Sequence, residues 1–475
     1  MAELLRPDIC IVGAGALGLH LARHARSLGA SVVVIDRGID EPNDGPQTAL
    51  RLAGLQAAAA RAWGQRQAAS VGLAASEPKI SFRAIQERLG ALVSERAPNL
   101  GPEHLTALGI DIRRGAPRFT DPQTLEVGET QVRASSTILA LGAKSISPDI
   151  PGLDQIEALN PDSILETSRK LSHLLVIGND PSAFALAQVF ARLGSAVTLV
   201  PQGPLLAEFD AEAVSILLNL LAAEGVAVVE GKVSAIHPRS QGIGAAVELP
   251  GGESQALDIS HVRVAMGGAA DLDSLDPHIA RLAPQRGKRG LASGDLGQTS
   301  NRRIRVVGAA AGIDQWQHAL RHGRAVVEAP VQGKPRNKPG PQPRLVLTSP
   351  VLAQIGVVPA SGEKLRAGAS ILRANLAEND AAAALGEAQG YVKVLSGSDG
   401  KITGASILAP GAADMAAVLA LAMERGLTLD KMADLSLPYP SLMSTISTLA
   451  DNYLASRPVS PWVARRRALR RIIPL

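Results

Sequence analysis

The stretch Ile9-Cys10-Ile11-Val12-Gly13-Ala14-Gly15-Ala16-Leu17-Gly18 decides how this chain of 475 residues folds. An apolar run, Ile9 to Val12, ends in three glycines spaced as Gly13, Gly15 and Gly18. Helical spacing of apolar residues follows from Leu17 to about Leu28. Ser31 to Ile35 is a second β-branched run, closed by Asp36. Strand, glycine turn, helix, strand and acid, in that order, mark a dinucleotide-binding βαβ unit. Gly13 permits the tight turn, Gly15 lets backbone approach a pyrophosphate, and Gly18 lets the helix pack closely on the strand. The helix N-terminus offers free N–H groups to phosphates. Asp36, about 20 residues on, is placed to hold an adenosine ribose hydroxyl. A glycine-rich turn alone also occurs in other α/β units; the two strands and the terminal acid make the reading specific.

Length argues for two to four domains. Hydrophobic content of 46% is that of a globular protein, and with only 2% aromatics the core must be built from Ala, Val, Leu and Ile. The formal charge of +4 is small, and its basic residues are spread out except at the C-terminus, so nothing calls for nucleic acid. No apolar run approaches the ~20 residues of a membrane span, and no signal peptide is evident before the first strand. The expected location is cytoplasmic. The single cysteine, Cys10, excludes an intrachain disulfide, a dithiol centre and a cysteine-only metal site. Its place in a buried strand favours packing over reactivity.

Residues 45 to 100 carry alanine and leucine at helical spacing and read as two or more helices. Short strands are expected at Gly109 to Arg113, Arg118 to Asp121 and Thr124 to Val127, and a buried strand at Ser136 to Gly142. A second strand-turn-helix begins at Leu174 and passes Gly178, repeating the first unit about 165 residues later. Its helix runs to about Leu193, and Ala196 to Val200 is the next strand. Ala211 to Glu224 reads as a helix, Val226 to Glu230 and Arg303 to Gly308 as strands, and Trp316 to Glu328 as a helix. Gln332 to Pro343, rich in Pro, Gly, Lys and Arg, is a linker. Beyond it, strands are expected near 344–348, 353–358, 366–373, 389–396 and 401–409, with helices at Ala413 to Arg425 and Ser441 to Leu454.

In this order of elements the chain resembles the pyridine nucleotide-disulfide oxidoreductases, the flavoprotein family of dihydrolipoamide dehydrogenase, glutathione reductase and mercuric reductase. Residues 11–18 match the family's FAD fingerprint. Residues 138–143 resemble its Ile-Ala-Thr-Gly segment, with Leu141 where threonine is usual. Pro148 to Leu153 resembles the proline-glycine segment that follows. Leu175 to Leu186 resembles the nicotinamide-domain fingerprint, Thr299 to Gly312 the second FAD segment, and Pro343 to Leu454 the dimerisation domain. The resemblance implies an α/β fold with two Rossmann-like FAD- and NAD-type domains and a C-terminal α+β dimerisation domain. Its boundaries would be 1–150 and 271–331 for the two parts of the FAD-binding domain, and 151–270 for the NAD(P)-type domain. A linker at 332–342, a dimerisation domain at 343–455 and a basic tail at 456–475 complete it. FAD would contact Gly13, Ala14, Gly15, Ala16, Leu17, Gly18, Asp36, Arg37, Gly142, Gly308 and Ala309.

The departures from the family carry chemical meaning. Family members hold a redox cysteine pair in the helix after the first unit, and Asp44 to Gln56 contains no cysteine. Without a dithiol there is no thiolate to pair with flavin or exchange with a disulfide. Where the family has an acid/base histidine in His-Pro-Thr, this chain reads Tyr439-Pro440-Ser441, and Ser444 stands near the place of the orienting glutamate. Tyrosine, with an ordinary pKa near 10, is a poor proton shuttle at neutral pH. In the nicotinamide fingerprint Gly178 survives, but Asp180 stands where backbone should approach pyrophosphate, and a carboxylate repels phosphates there. Ala185 replaces the usual glutamate, Leu199-Val200-Pro201-Gln202 ends without a ribose acid, and Ala265-Met266-Gly267-Gly268 lacks the family's arginine. Ala309 replaces an aspartate that binds the ribityl chain.

Of the histidines His104, His237, His261, His278, His318 and His322, only the last two share a metal-ligand spacing, i and i+4 on one helix, and no third ligand accompanies them. Trp316 and His318 lie where the family's helix runs beneath the flavin, and packing is the expected role. From Pro461 to Leu475, Trp462, Leu469 and Ile473 share one helical side and five arginines occupy much of the rest. A solvated or dimer-contacting tail is the plain reading; peripheral contact with anionic lipid is the alternative. The whole reads as a homodimeric, FAD-binding oxidoreductase homologue without dithiol chemistry. Flavin occupancy is expected to be weak or partial and NAD(P)H binding poor. The competing reading is a non-catalytic dimeric scaffold or nucleotide-sensing regulatory protein of the same fold.

Overall fold

The β-branched runs of the first hundred and forty residues assemble one parallel sheet, and their side-chain alternation decides what lies on each face. In the computed structural model, which describes residues 3–38, 45–96, 102–272, 275–284, 290–335, 340–359, 363–457, 462, 465 and 466, the elements that build the nucleotide-binding halves are these. Strand β1 spans Ile9–Val12, helix α1 Ala16–Ser27 and β2 Val32–Asp36; α2 spans Gly45–Arg66, α3 Phe82–Arg96, α4 Pro102–Ala107, β3 Ile110–Arg114 and β4 Ser136–Leu139. The second half contributes β5 His173–Gly178, α5 Pro181–Arg192, β6 Ala196–Val200, β7 Val226–Val228 and β8 His261–Ala265. Strand β9 (Ile304–Val306) and helix α6 (Trp316–Gln332) follow.

The first sheet runs β9-β4-β1-β2-β3, all parallel. Ile9, Ile11, Val32, Val34 and Ile138 face the helical side, where they meet Leu21, Ala22 and Ala25 of α1 and Val326 and Val327 of α6. Cys10, Val12, Val33, Ile35 and Leu139 point the other way, onto Phe119, Leu125, Val127 and Val132 of a small sheet that includes residues 117–132. With both faces covered, the central strand β1 and β2 as far as Ile35 are apolar without a break, as buried parallel strands are, while the edge strand β3 reads Ile-Asp-Ile-Arg-Arg. Each fully buried Val, Leu or Ile stabilises the fold by roughly 1.5–3 kcal/mol relative to exposure. The second parallel sheet, β7-β6-β5-β8, repeats the arrangement. Its neighbour, a three-stranded antiparallel meander over 232–259, is absent from the sequence reading.

The chain forms two compact units. One comprises Met1–Ala69, Leu73–Pro204 and Glu224–Pro339, the other Ser70–Gly72, Leu205–Ala223 and Gly340–Leu475. The second unit holds a five-stranded antiparallel sheet, ordered Arg344–Val346, Val351–Gly356, Ile402–Ala409, Tyr391–Ser396, Ser370–Asn375. Helices Ala412–Arg425 and Ser444–Ser456 contribute Met415, Leu419, Ile446 and Leu449 to its core. The helix Ala211–Ala223, which the sequence reading grouped with residues 151–270, belongs with this second unit. Charge explains the grouping: Lys393 Nζ is 2.5 Å from Asp210 and 2.7 Å from Glu212, and Tyr391 donates to Asp210 at 2.9 Å. Most of the tail from Pro461 to Leu475 lies outside the described residues.

Candidate functional site

The turn between β1 and α1 assigns each of its glycines a separate physical requirement. Gly13 has φ +117°, and a Cβ there would lie 2.1 Å from the Ala140 carbonyl oxygen. A Cβ on Gly18 would lie 1.9 Å from the Gly13 carbonyl oxygen. Those two positions are therefore glycine for reasons of folding. Gly15 differs: it is the N-cap of α1 with φ −69° and ψ 173°, a conformation any residue adopts, and among the described residues nothing but its own chain neighbours comes within 4 Å of where its Cβ would stand. No acidic side chain sits in the first turn of α1 and no side chain caps it. Among the described residues the backbone thus has no side chain against it and its N–H groups carry no side-chain cap, the condition under which phosphate approaches a helix N-terminus.

The other predicted residues gather around this turn or stand beside it. Ala14 and Leu17 are half-buried and Ala16 is buried. Gly308 is buried next to Leu17, close enough that a Cβ on it would lie 2.8 Å from Leu17 Cδ2, which brings the segment Gly308–Ala311 to the start of α1. Ala309 is half-buried in that segment, and Gly142, with φ +70°, is exposed beyond the end of β4. Asp36 ends β2. One of its oxygens accepts from Gly38 N at 3.0 Å, and the other lies 3.3 Å from Arg114 Nε. Arg114, from the end of β3, is a neighbour the sequence reading missed; its register opposite Asp36 is the signal. Arg37 is engaged elsewhere, its guanidinium 2.6 Å from Asp271. Cys10 is fully buried beneath the turn, and burial pushes its thiol up to about 12.

The second turn, between β5 and α5, repeats the first in backbone and inverts it in side chain. Gly178 has φ +130°, and a Cβ on it would lie 2.1 Å from the Ala265 carbonyl oxygen, as Gly13 stands to Ala140. Asp180 takes the place of Gly15, with φ −70° and ψ 157°. Its carboxylate does more than face the space in front of the helix: it fills the role of an anion there. Oδ1 accepts from Ser182 N at 2.7 Å, Ser182 Oγ at 2.6 Å and Ala183 N at 3.1 Å; Oδ2 accepts from Gly267 N at 2.9 Å. Pro181, at the first helical position, contributes no N–H. Arg263 of β8, buried among these elements, bonds the Leu159 carbonyl at 3.3 Å and the Val264 carbonyl, and feels the charges of Asp180 and Asp162.

The remaining family positions are also built from this chain's own partners. The helix α2, which holds the stretch aligned with the family's cysteines, packs against α3 and α5, and Thr48 donates to Asp162 at 2.8 Å. Tyr439 is 80% exposed and donates to Asp380 at 2.8 Å, and that bond raises its pKa. Ser444 accepts from Asn379 Nδ2 at 2.9 Å and donates to the Ser441 carbonyl at 2.7 Å. Trp316 meets His20 edge-on, with ring centroids 5.3 Å apart. His322 is buried, which pushes its pKa down to about 4. Among the described residues no group of three or more His, Cys, Asp or Glu is placed to hold a metal, and no helix is long and apolar enough to cross a membrane.

With this geometry in view, the comparison with known proteins is direct. A model of the pyridine nucleotide-disulphide oxidoreductases matches residues 7–323, and the model of that family's dimerisation domain matches residues 342–450. The chain belongs to the pyridine nucleotide-disulphide oxidoreductase family. Among its relatives, a mercuric reductase of Streptomyces lividans is 29% identical, over 94% of this chain and 96% of the relative. A dihydrolipoyl dehydrogenase of Geobacillus stearothermophilus is 25% identical over 92% and 94%. In fold the chain is similar to the HOCl-induced flavoprotein disulfide reductase RclA of Escherichia coli, at TM-score 0.78 and 19% identity, covering 94% of this chain and 99% of that one. LpdA of Mycobacterium tuberculosis is similar at TM-score 0.80 and 21% identity, with the same coverage. Pyridine nucleotide-disulphide oxidoreductases bind FAD and work with NAD(P)H, and the dimerisation domain is the family's means of pairing two chains.

Proposed function

We propose that this chain is an FAD-binding oxidoreductase of the family that works without a dithiol and without NAD(P)H at its second nucleotide fold. The observation that carries the reading is the contrast at one backbone position. No described residue beyond its chain neighbours stands within 4 Å of a Cβ on Gly15, while Asp180, at the equivalent place, spends its carboxylate on Ser182 N, Ala183 N and Gly267 N. The first turn fits a pyrophosphate. The second does not: a phosphate would have to displace a covalently tethered anion from the N–H groups it needs.

FAD, when bound, supplies redox chemistry that no side chain can. The rest is the work of this chain. Gly13, Ala14, Gly15, Ala16, Leu17 and Gly18 would present backbone to the pyrophosphate, and Asp36 would accept from the adenosine ribose in competition with Arg114. Gly142, Gly308 and Ala309 would hold the flavin end. There Ala309 contributes no carboxylate, so the ribityl chain loses one charge-assisted hydrogen bond, about 1.5–3 kcal/mol. Occupancy is accordingly partial. Arg37, held by Asp271, positions the segment after β2 and does not reach for phosphate. Cys10 takes no part, because a buried thiol with its pKa at about 12 is not a nucleophile at neutral pH.

The proposal is tested by the colour and the reductant of the purified protein. A visible flavin spectrum that NADH and NADPH leave unchanged supports it. A protein that takes up no FAD supports instead the non-catalytic scaffold, the reading favoured by the missing cysteines and by Tyr439 in place of a histidine.

A further inference from the structure

A second feature of the first unit stands apart from both turns. His20, Arg23, His24 and Ser27 follow one another at i, i+3, i+4 and i+7 and so share one face of α1. Together with Arg26, with His104 and Leu108 at and just beyond the end of α4, and with Arg324 of α6, they line an open cleft of about 660 Å³. Among the described residues three arginines and three histidines line it, and no acid does. Arg26 is fixed in place, its Nε 2.8 Å from the Leu108 carbonyl. His24 is held by Glu328 at 3.2 Å, a carboxylate that is not part of the lining. Among the described residues, the side chains of Arg23, Arg324 and His104 make no hydrogen bond or ion pair.

Cations in the last turn of a helix answer its dipole, and that accounts for His24 and Arg26. It also covers His104, in the last turn of α4, but it does not account for Arg23 or for Arg324, which stands midway along α6. The arginines carry like charge: Arg23 and Arg26, at i and i+3, repel by a few tenths of a kcal/mol, and Arg324 adds a third charge to the same cleft, unless an anion lies between them. Among the described residues Leu108 is the one aliphatic lining residue and no Phe, Tyr or Trp joins it, so the guanidiniums are the groups that dominate recognition. Three permanent cations recognise anionic groups before anything else, and the volume admits more than one.

We propose that this cleft is a binding site for clustered phosphate groups, held by Arg23, Arg26 and Arg324. Guanidinium forks suit phosphate oxygens better than a point charge does. The cleft begins about 8 Å along the helix axis from Gly15 and extends to about 18 Å, so its occupant is not the pyrophosphate of a dinucleotide at the first turn.

The test is calorimetric titration with tripolyphosphate of the protein in saturating FAD, beside flotation with vesicles containing a bisphosphorylated inositol lipid. The two arms separate a soluble source of the phosphates from a membrane headgroup. Binding in either arm should fall at least tenfold in the double variant Arg23→Ala, Arg324→Ala, since removing one charge-assisted hydrogen bond costs about a factor of ten or more. It should also weaken as salt is raised. The variant Arg23→Lys, Arg324→Lys should keep part of the affinity, and unchanged melting temperatures would show that both variants fold. Because these arginines lie away from Gly15, a loss on their replacement cannot be assigned to the first turn, whether or not FAD is bound there. No binding of either probe, or equal binding by the alanine variant, would overturn the proposal.

Discussion

Replacing Asp180 by glycine should convert the second turn into a copy of the first. The substitution removes an acceptor of four hydrogen bonds, at 2.6–3.1 Å, from the start of α5 and from Gly267. Glycine is itself a tolerable N-cap, so the helix loses only a few tenths of a kcal/mol. The Gly267 N–H loses an ionised partner, about 1.5–3 kcal/mol. The expected cost is therefore roughly 2 kcal/mol of stability, a fall of a few degrees in melting temperature. In exchange, Ala183 N and Gly267 N become available to an incoming phosphate. Two recovered charge-assisted bonds are worth about 3–6 kcal/mol, a gain of about a hundredfold to ten-thousandfold in affinity. Asp180→Asn separates charge from occupancy: asparagine caps a helix as well as aspartate does, but its amide still fills the space, so the gain should stay under about tenfold. The assay is calorimetric titration of NADH into protein whose first site is filled with FAD. If Asp180→Gly binds NADH no more tightly than the parent, the carboxylate is not what closes the site and the reasoning fails.

Three further outcomes are expected. Gly15→Ala should leave the melting temperature within about a degree, because its Cβ meets nothing within 4 Å, yet weaken FAD at least tenfold; Gly13→Ala should instead destabilise the protein by several kcal/mol, as in other positions that break a required backbone geometry, since its Cβ would lie 2.1 Å from a carbonyl oxygen. Cys10 should resist thiol reagents at pH 8 until the protein is unfolded; its folded pKa, raised to about 12, lies above that of the unfolded chain, so its contribution to stability is full below about pH 8.5 and is lost as pH rises toward 12, a slope that a Cys10→Ala variant should lack. Light scattering at micromolar concentration should report particles of two chains, in keeping with the match of residues 342–450 to the dimerisation domain; a single chain per particle would contradict it.

The particular elements show where sequence was informative. Ile9–Val12, Ala196–Val200 and Ala211–Ala223 were legible almost to the residue, because β-branched runs and helical spacing there are bounded by glycine or polar residues. The meander over 232–259 was not, because Pro238, Gly242 and Gly244 interrupt it and an irregularity between Val233 and Ala235 breaks the alternation. Helix α6 runs to Gln332, past Pro330, where the sequence pattern suggests an end at Glu328; a proline in the last turn forfeits little. In the site, the loss of glycine at Asp180 was plain in the sequence. That its carboxylate would be met by Gly267, from a strand end 87 residues away, was not, since the bond depends on how β8 lies beside β5. The cationic face of α1 has readable spacing, but its convergence with His104 and Arg324 exists only in three dimensions.

By the proposed function the first turn holds FAD while the second refuses NAD(P)H. The most direct measurement is to load the protein with FAD, mix it anaerobically with NADH and, separately, NADPH, and follow the visible flavin absorbance. The account predicts a yellow protein whose absorbance stays unchanged for minutes with either reductant. Rapid bleaching by NADH or NADPH would contradict it, because the reductant would then be seated where Asp180 is said to leave no room.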